Sequence, residues 1–208
     1  MAPPAASRPR KPTRVPAGVK IGAMAIHRYT RTAVVLHWVM ALLIVVNVTL
    51  ALAVDSLPDA WQRPVIDTHK SIGITVLGLV LLRLLWRWGH PPPPLPAAYA
   101  RWEQRLSHAA HALFYLLMLA LPLSGLLHDS AWKLADRYPM RWFGLFEWPR
   151  IGFMTALPAD EKAHLHDLLG NIHTALAYGL YALLALHIAG ALKHQWLDRQ
   201  AQLQRMSL

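Results

Sequence analysis

Four histidines stand inside, or at the mouth of, long apolar runs: His37, His69, His173 and His187. An ionisable or metal-ligating side chain in such a run is costly, and by default it marks function. His37 lies about one and a half turns into its run, and His187 about as far from the end of another. His69 opens a third run, and His173 is about a turn into the run that also carries His187. If successive spans alternate in direction, His37 falls level with His187, and His69 with His173. Two level pairs suggest two metal centres stacked across a bilayer.

The angles agree with the depths. His173 and His187 are 14 residues apart, which at roughly 100° per residue falls about 40° short of four whole turns, so both project from much the same helix face. The rise between them is about 21 Å, too far for a bridged dinuclear site. Zinc or copper would prefer a tighter cluster of three or four ligands. Low-spin haem iron takes two axial imidazoles, one on each side of the ring, and facing helices of a bundle can supply them. Filling both axial positions suits electron transfer rather than oxygen activation. The competing reading of each histidine taken singly is a helix-to-helix hydrogen bond. Gly73, Gly78, Gly179 and Gly190 could leave room for porphyrin planes, or could serve ordinary close helix packing.

Composition supports a membrane setting for these groups. The 208-residue chain is 55% hydrophobic and 15% charged, with mean hydropathy +0.27, far from a soluble domain of this size. There is no cysteine, which removes disulfides, thiolate-held clusters and covalent haem attachment. The net charge of +10 flanks the apolar runs, so it reads as membrane-surface charge rather than a nucleic-acid interface. Residues 1–23 form a basic, Pro/Ala-rich tail without an apolar signal-peptide core and are expected to be disordered, with Met24 a plausible second start. Residues 24–208 then form one membrane domain.

Four spans of roughly 20 residues are predicted: Thr32–Val54, Thr68–Trp88, Ala109–Leu127 and Leu168–Leu192. Pro91–Pro94 stops the second, and Pro122 kinks or loosens the third. An amphipathic stretch from Tyr99 to His108 leads into that third span. The connection from Asp129 to Asp167 carries Trp132, Trp142, Phe143, Phe146, Trp148 and Phe153 and is expected at headgroup level. Basic residues crowd the side holding the tail, the loop between spans two and three, and the C-terminus, so both termini are expected in the cytoplasm. His108 and His111 compete as ligands or proton-handling groups. His164 and His166 are expected to be solvated, and His27, His90, His128 and His194 to sit at the interfaces.

These residues carry a resemblance. Tyr29-Thr30-Arg31, Leu36-His37-Trp38, Thr68-His69-Lys70-Ser71-Ile72-Gly73, Tyr115, Leu121-Pro122, Gly125 and the pair His173/His187 resemble the prokaryotic cytochrome b561 family over about residues 26–195. The resemblance implies an all-α membrane protein of the bacterial inner membrane, a four-helix bundle holding two non-covalent b-type haems. It carries the axial-ligand role onto His37, His69, His173 and His187, and implies electron exchange with membrane quinone, ubiquinone above all. One member type oxidises superoxide at the periplasmic face. If that reaction applies, Lys70 is the candidate for steering the anion, with snorkelling or pairing to a propionate as its other reading; Arg28 and Arg31 could neutralise propionates of the inner haem or serve as positive-inside anchors. A soluble redox-protein donor, with this chain as the haem subunit of a larger dehydrogenase or hydrogenase complex, and a histidine-based metal transporter are the readings left beside it.

Overall fold

The computed structural model describes residues 28–96 and 98–208. The expectations for the basic tail, the second start at Met24 and His27 fall outside those residues. Thr30 begins α1 (Arg31–Ala53), its Oγ1 accepting the Ala33 N–H at 3.3 Å, which satisfies one of the helix's free N-terminal donors. A single 3₁₀ turn, Val54–Ser56, leads to Pro58 and α2 (Asp59–Gly89). The four consecutive prolines from Pro91 end α2, because they cannot donate to a helix ladder. Glu103 starts α3 (Arg101–Ser130) by accepting the Ala100 N–H at 3.0 Å. Pro122 sits inside α3 without ending it. Two short antiparallel strands, β1 (Arg141–Trp142) and β2 (Phe146–Glu147), follow, then the single turn α4 (Gly152–Thr155). The long α5 (Ala159–Leu192) runs into a π-helical turn, Lys193–Leu197, and α6 (Gln202–Arg205) closes the chain.

α1, α2, α3 and α5 are each long and apolar enough to cross a membrane. Three of them begin about two turns before the predicted spans: at Asp59 rather than Thr68, at Arg101 rather than Ala109, and at Ala159 rather than Leu168. Apolar run length reports only the part of a helix inside hydrocarbon. The extra turns are polar and carry acids near their N-termini, Asp59, Glu103, Asp160 and Glu161, where the helix dipole favours negative charge.

Helices α1 and α2 pack together, α2 packs on α3, and α3 on α5, while the backbone of α5 stays away from α1 and α2. Two apolar clusters hold this arrangement. Met40, Ile72, Val76 and Val80 form one, with Tyr115 and Met118 against them. Leu117, Leu180 and Leu183 form the other, reached across the gap by Ile44 and Val48 of α1. This second cluster lies at mid-height, between the depths of His173 and His187.

The start of α1, the loop after α2 and the C-terminus share one end of the bundle. The Tyr29 N–H donates to the Arg205 carbonyl at 3.1 Å, Trp38 Nε1 to the Met206 carbonyl at 2.8 Å, and Arg205 Nη2 to the carbonyls of Pro93 and Pro94 at 3.1 and 2.8 Å. The β-hairpin and α4 cover the opposite end.

Candidate metal centres

The alternation of helix direction brings the histidines together as the depth argument requires. His37 of α1 faces His187 of α5 with ring centroids 6.3 Å apart and planes at 65°. His69 of α2 faces His173 of α5 at 6.2 Å and 81°. Metal–imidazole bonds are roughly 2.0–2.1 Å, so an ion clasped between two opposed rings leaves their centroids about 6.3 Å apart once the ring radii are added. Both pairs have that spacing. A direct imidazole–imidazole hydrogen bond would draw the rings closer, so the spacing favours ligation over helix-to-helix bonding.

At the hairpin end, hydrogen bonds fix the tautomer of both rings. His69 Nδ1 lies 3.2 Å from the Asn47 carbonyl, which can only accept, so Nδ1 carries the proton and Nε2 keeps a free lone pair. Ser124 Oγ donates to the Leu121 carbonyl at 2.9 Å and lies 2.9 Å from His173 Nδ1. The hydroxyl has one proton and it is already engaged, so His173 Nδ1–H must donate to it. An imidazole anchored through one nitrogen to an oxygen acceptor is the usual support for a metal ligand.

Space is provided beside these rings. A cavity of about 700 Å³ lies among them, lined by His69, Gly73, Pro122, His173, Tyr178 and Tyr181, within the roughly 300–1,000 Å³ range that holds bulky cofactors. Gly125 lets His173 in: a Cβ there would stand 3.2 Å from His173 Cε1. A Cβ at Gly78, Gly179 or Gly190 would meet nothing within 4 Å. Those three therefore do not serve close helix packing, and none of them lines this cavity.

At the termini end, His187 is surrounded by His37, Phe114 (centroids 5.2 Å) and His111 (5.9 Å). His111 Nδ1 donates to the Ser107 carbonyl at 2.6 Å, which turns its Nε2 away from its own helix turn. His108 is exposed and stays outside the group. Arg28 and Arg31 are exposed at the start of α1. The arginine that reaches inward is Arg83, bonded to Tyr115 Oη at 3.2 Å and to the Ala33 carbonyl at 3.3 Å.

The mouth of the cavity differs most from expectation. The Lys70 ammonium is 2.5 Å from Asp129 Oδ1, and Arg150 Nε is 2.8 Å from Asp129 Oδ2. Arg150 Nη1 also reaches the carbonyls of Ala135 and Tyr138. Lys70 is therefore one cation of a buried network rather than a free surface charge. His166 is not solvated. It lies on α5, half-buried, and stacks on His128 at 3.8 Å. Each ring's Nδ1 donates to the other's backbone carbonyl, at 2.8 and 3.0 Å. Gly170 permits this stack, since a Cβ there would come within 2.9 Å of the His128 ring. His164 is exposed, as expected. Among the described residues a further ligand-like group, Glu103, His194 and Asp198, lies at the termini end. Lys193 already bridges its two carboxylates, at 3.0 and 2.7 Å.

The family model for prokaryotic cytochrome b561 matches residues 28–207, all four membrane helices and both histidine pairs included. The chain belongs to the prokaryotic cytochrome b561 family. It is therefore a multi-pass protein of the bacterial inner membrane, a membrane cytochrome b of electron transfer. Cytochrome b561 homolog 2 of Escherichia coli (strain K12) is 34% identical over 182 residues, covering 86% of this chain and 90% of that protein. A probable superoxide oxidase CybB of Yersinia pestis is 27% identical, covering 86% and 95%. Cytochrome b561 homolog 1 of E. coli is 25% identical, covering 87% and 97%. Membership brings b-type haem, and the opposed, tautomer-fixed imidazoles beside an open cavity fit such a group.

Proposed function

We propose that this cytochrome carries electrons across the membrane between two bis-histidine haem b sites, one held by His37 and His187, the other by His69 and His173. The observation that carries the reading is the pair of matching imidazole separations, 6.3 and 6.2 Å, at two levels of one helix. Haem b bound there supplies one-electron redox chemistry at a potential set by its ligands and burial. The chain's own part is to hold and orient. The Asn47 carbonyl and Ser124 keep the imidazoles of the hairpin-end pair in the ligating tautomer, and the apolar cluster at mid-height excludes water between the two levels.

By the excess of lysine and arginine near the termini end, that end faces the cytoplasm and the hairpin end the periplasm. Membrane quinone, ubiquinone in the first place, is the electron partner within the lipid. Superoxide is the donor we favour at the hairpin end, because a protein with a related sequence is named a probable superoxide oxidase. Arg63, Lys70 and Arg150 stand there against Asp67 and Asp129. With Asp55 also lining the cavity, three cations stand against three carboxylates, so any steering of a small anion belongs to the local placement of Arg63, Lys70 and Arg150 and not to a net charge.

A reduced-minus-oxidised spectrum with haem quantification on purified protein tests the first claim, with two haems per chain expected. Superoxide-driven reduction of a ubiquinone analogue in proteoliposomes tests the second. One haem per chain would refute the two-centre reading. Two haems without superoxide-driven turnover would leave the centres in place and refute the donor.

A further inference from the structure

The hairpin at the far end of the bundle is built to be apolar where water would be expected. Its tip, Trp142-Phe143-Gly144-Leu145-Phe146, carries no charge, and Phe143, Leu145 and Phe146 are 46%, 73% and 50% exposed. Phe143 is held at φ 46°, before Gly144 at φ 73°. A left-handed backbone is a cost to any residue with a Cβ, and here it falls on a bulky aromatic that the fold then leaves uncovered. Arg141 and Glu147, paired at the hairpin's base, are the nearest charges.

The hairpin does not stand clear of the membrane helices. The Phe143 N–H donates to Ser71 Oγ at 2.9 Å, and Trp142 Nε1 donates to Thr75 Oγ1 at 3.1 Å. Ser71 is 1% exposed as a result. Lys70 and Asp67 mark the last charges of α2 before its apolar stretch, and Thr75 lies about 7.5 Å deeper along the helix. Neither Ser71 nor Thr75 lines the cavity between the histidines. Continued by helical periodicity, their face of α2 passes through Gly78 to Leu82, where the flank is open and Leu82 is 55% exposed. The hairpin thus sits at the head of a stripe that faces outward.

We infer that the hairpin tip is a lipid-inserting wedge: Phe143, Leu145 and Phe146 enter the leaflet on this side, pinned to α2 through Ser71 and Thr75. The occupant of the apolar patch is the boundary between headgroups and acyl chains. Aromatic side chains suit that layer, and the patch continues into a flank of α2 that already faces hydrocarbon. The wedge fixes the depth of the α2 segment that carries His69, and with it the level of the cavity mouth.

The chain has no cysteine, so a single introduced thiol reports one position. Leu145→Cys and Phe146→Cys are each spin-labelled in the haem-loaded protein in liposomes. Leu82→Cys serves as the lipid reference and Asp160→Cys, on an exposed position, as the water reference. The readout is the ratio of collision rates with oxygen and with a water-soluble nickel chelate. The expected result is a ratio for both hairpin labels several-fold above that of Asp160→Cys and on the Leu82→Cys side of the midpoint. Hairpin labels that match the Asp160→Cys water reference overturn the wedge. So does dipolar line broadening that disappears on dilution with unlabelled protein, which would make the occupant a second copy of the chain.

Discussion

Removing the Ser124 hydroxyl tests how the imidazole of His173 is held. In the wild-type protein Ser124 Oγ bridges the Leu121 carbonyl and His173 Nδ1, both at 2.9 Å, in an environment where Ser124 is 6% exposed. Ser124→Ala removes the hydroxyl acceptor of His173 Nδ1–H and leaves the Leu121 carbonyl as the remaining oxygen beside it. Losing one hydrogen bond of this kind costs about 1 kcal/mol net. That corresponds to a haem affinity lower by roughly 5–10-fold, at or below the low end of the range usual for groups that orient a metal ligand. The assay is haem transfer to an excess of an apoprotein acceptor, resolved by spectrum into the two centres. The fast-exchanging fraction is expected to be the one that His173→Ala removes. The other fraction should keep its wild-type rate, because His37 and His187 lie about 21 Å away along α5. Ser124→Thr keeps the hydroxyl and is expected to restore most of the affinity. If Ser124→Ala exchanges haem at the wild-type rate, or if Thr fails as badly as Ala, the tautomer argument is wrong.

The ligand pairing gives a second expectation: His37→Ala and His187→Ala each remove the same spectral component, and His69→Ala and His173→Ala each remove the other, read by haem content per chain. Asp129→Asn is expected to be severe, because Arg150 then loses its paired carboxylate and Lys70 keeps only Asp67 at 3.7 Å, and breaking such a buried network costs about 3–5 kcal/mol. Lys70→Met, which leaves Asp129 paired with Arg150, should be milder, and the comparison is made by yield of folded, haem-loaded protein and thermal midpoint in detergent. Phe143→Gly is expected to raise that midpoint by relieving about 1–2 kcal/mol of left-handed backbone cost, unless the aromatic ring contributes more in lipid, so the gain should shrink from detergent to liposomes. At the termini end, the Lys193 ammonium at 2.7 Å holds the Asp198 carboxyl below the usual carboxylate range, with His194 adding to it. A depressed carboxyl stabilises the fold above its ordinary value and loses that contribution as pH falls through the depressed one. Proteolysis after Arg199 should therefore speed up as pH falls into that acid window, and Asp198→Asn should cleave fast and independently of pH.

What could be read from residue types alone was whatever is expensive. Histidine in an apolar run is expensive, so all four candidate ligands stood out, and the spacing of His173 and His187 on one helix set both levels at once. The span ends were less legible. Hydropathy follows the hydrocarbon, whereas α2 and α5 continue for turns beyond it on polar sequence that a dipole and a few acids sustain. The groups that orient the ligands left little trace. The acceptor for His69 is the backbone carbonyl of Asn47, which any residue would possess, although Ser124 two residues after Pro122 was a polar group in an apolar run and could have been weighed. The stack of His128 on His166 and the bonds of Asp129 to Lys70 and Arg150 join residues far apart in sequence. Nothing local at Asp129, just past an apolar run, tells that it will be buried against a partner from another helix. The hairpin was visible in principle, as a glycine between aromatics, but aromatic density alone gives the depth of a segment and not its turn.

The arrangement of the helices gives a physical reason for the placement of both histidine pairs. Four apolar helices in lipid gain little from burying apolar surface against one another, since lipid tails are equally apolar, and they associate through close packing and polar contacts. Here α1–α2 and α3–α5 are packed pairs joined along α2 and α3, and α5 is kept away from the first pair. The gap is bridged at mid-height by leucine, isoleucine and valine, and at two further levels by opposed imidazoles spaced to admit an ion between them. A bond from α1 to α5 and another from α2 to α5, each through a shared metal, would close the open side of the bundle without backbone contact. Cofactor binding and helix association would then be one event, as in other metal-organised folds. On the proposed ligation, the four histidines would be the structural ties of the open side as well as the ligands that set its redox chemistry.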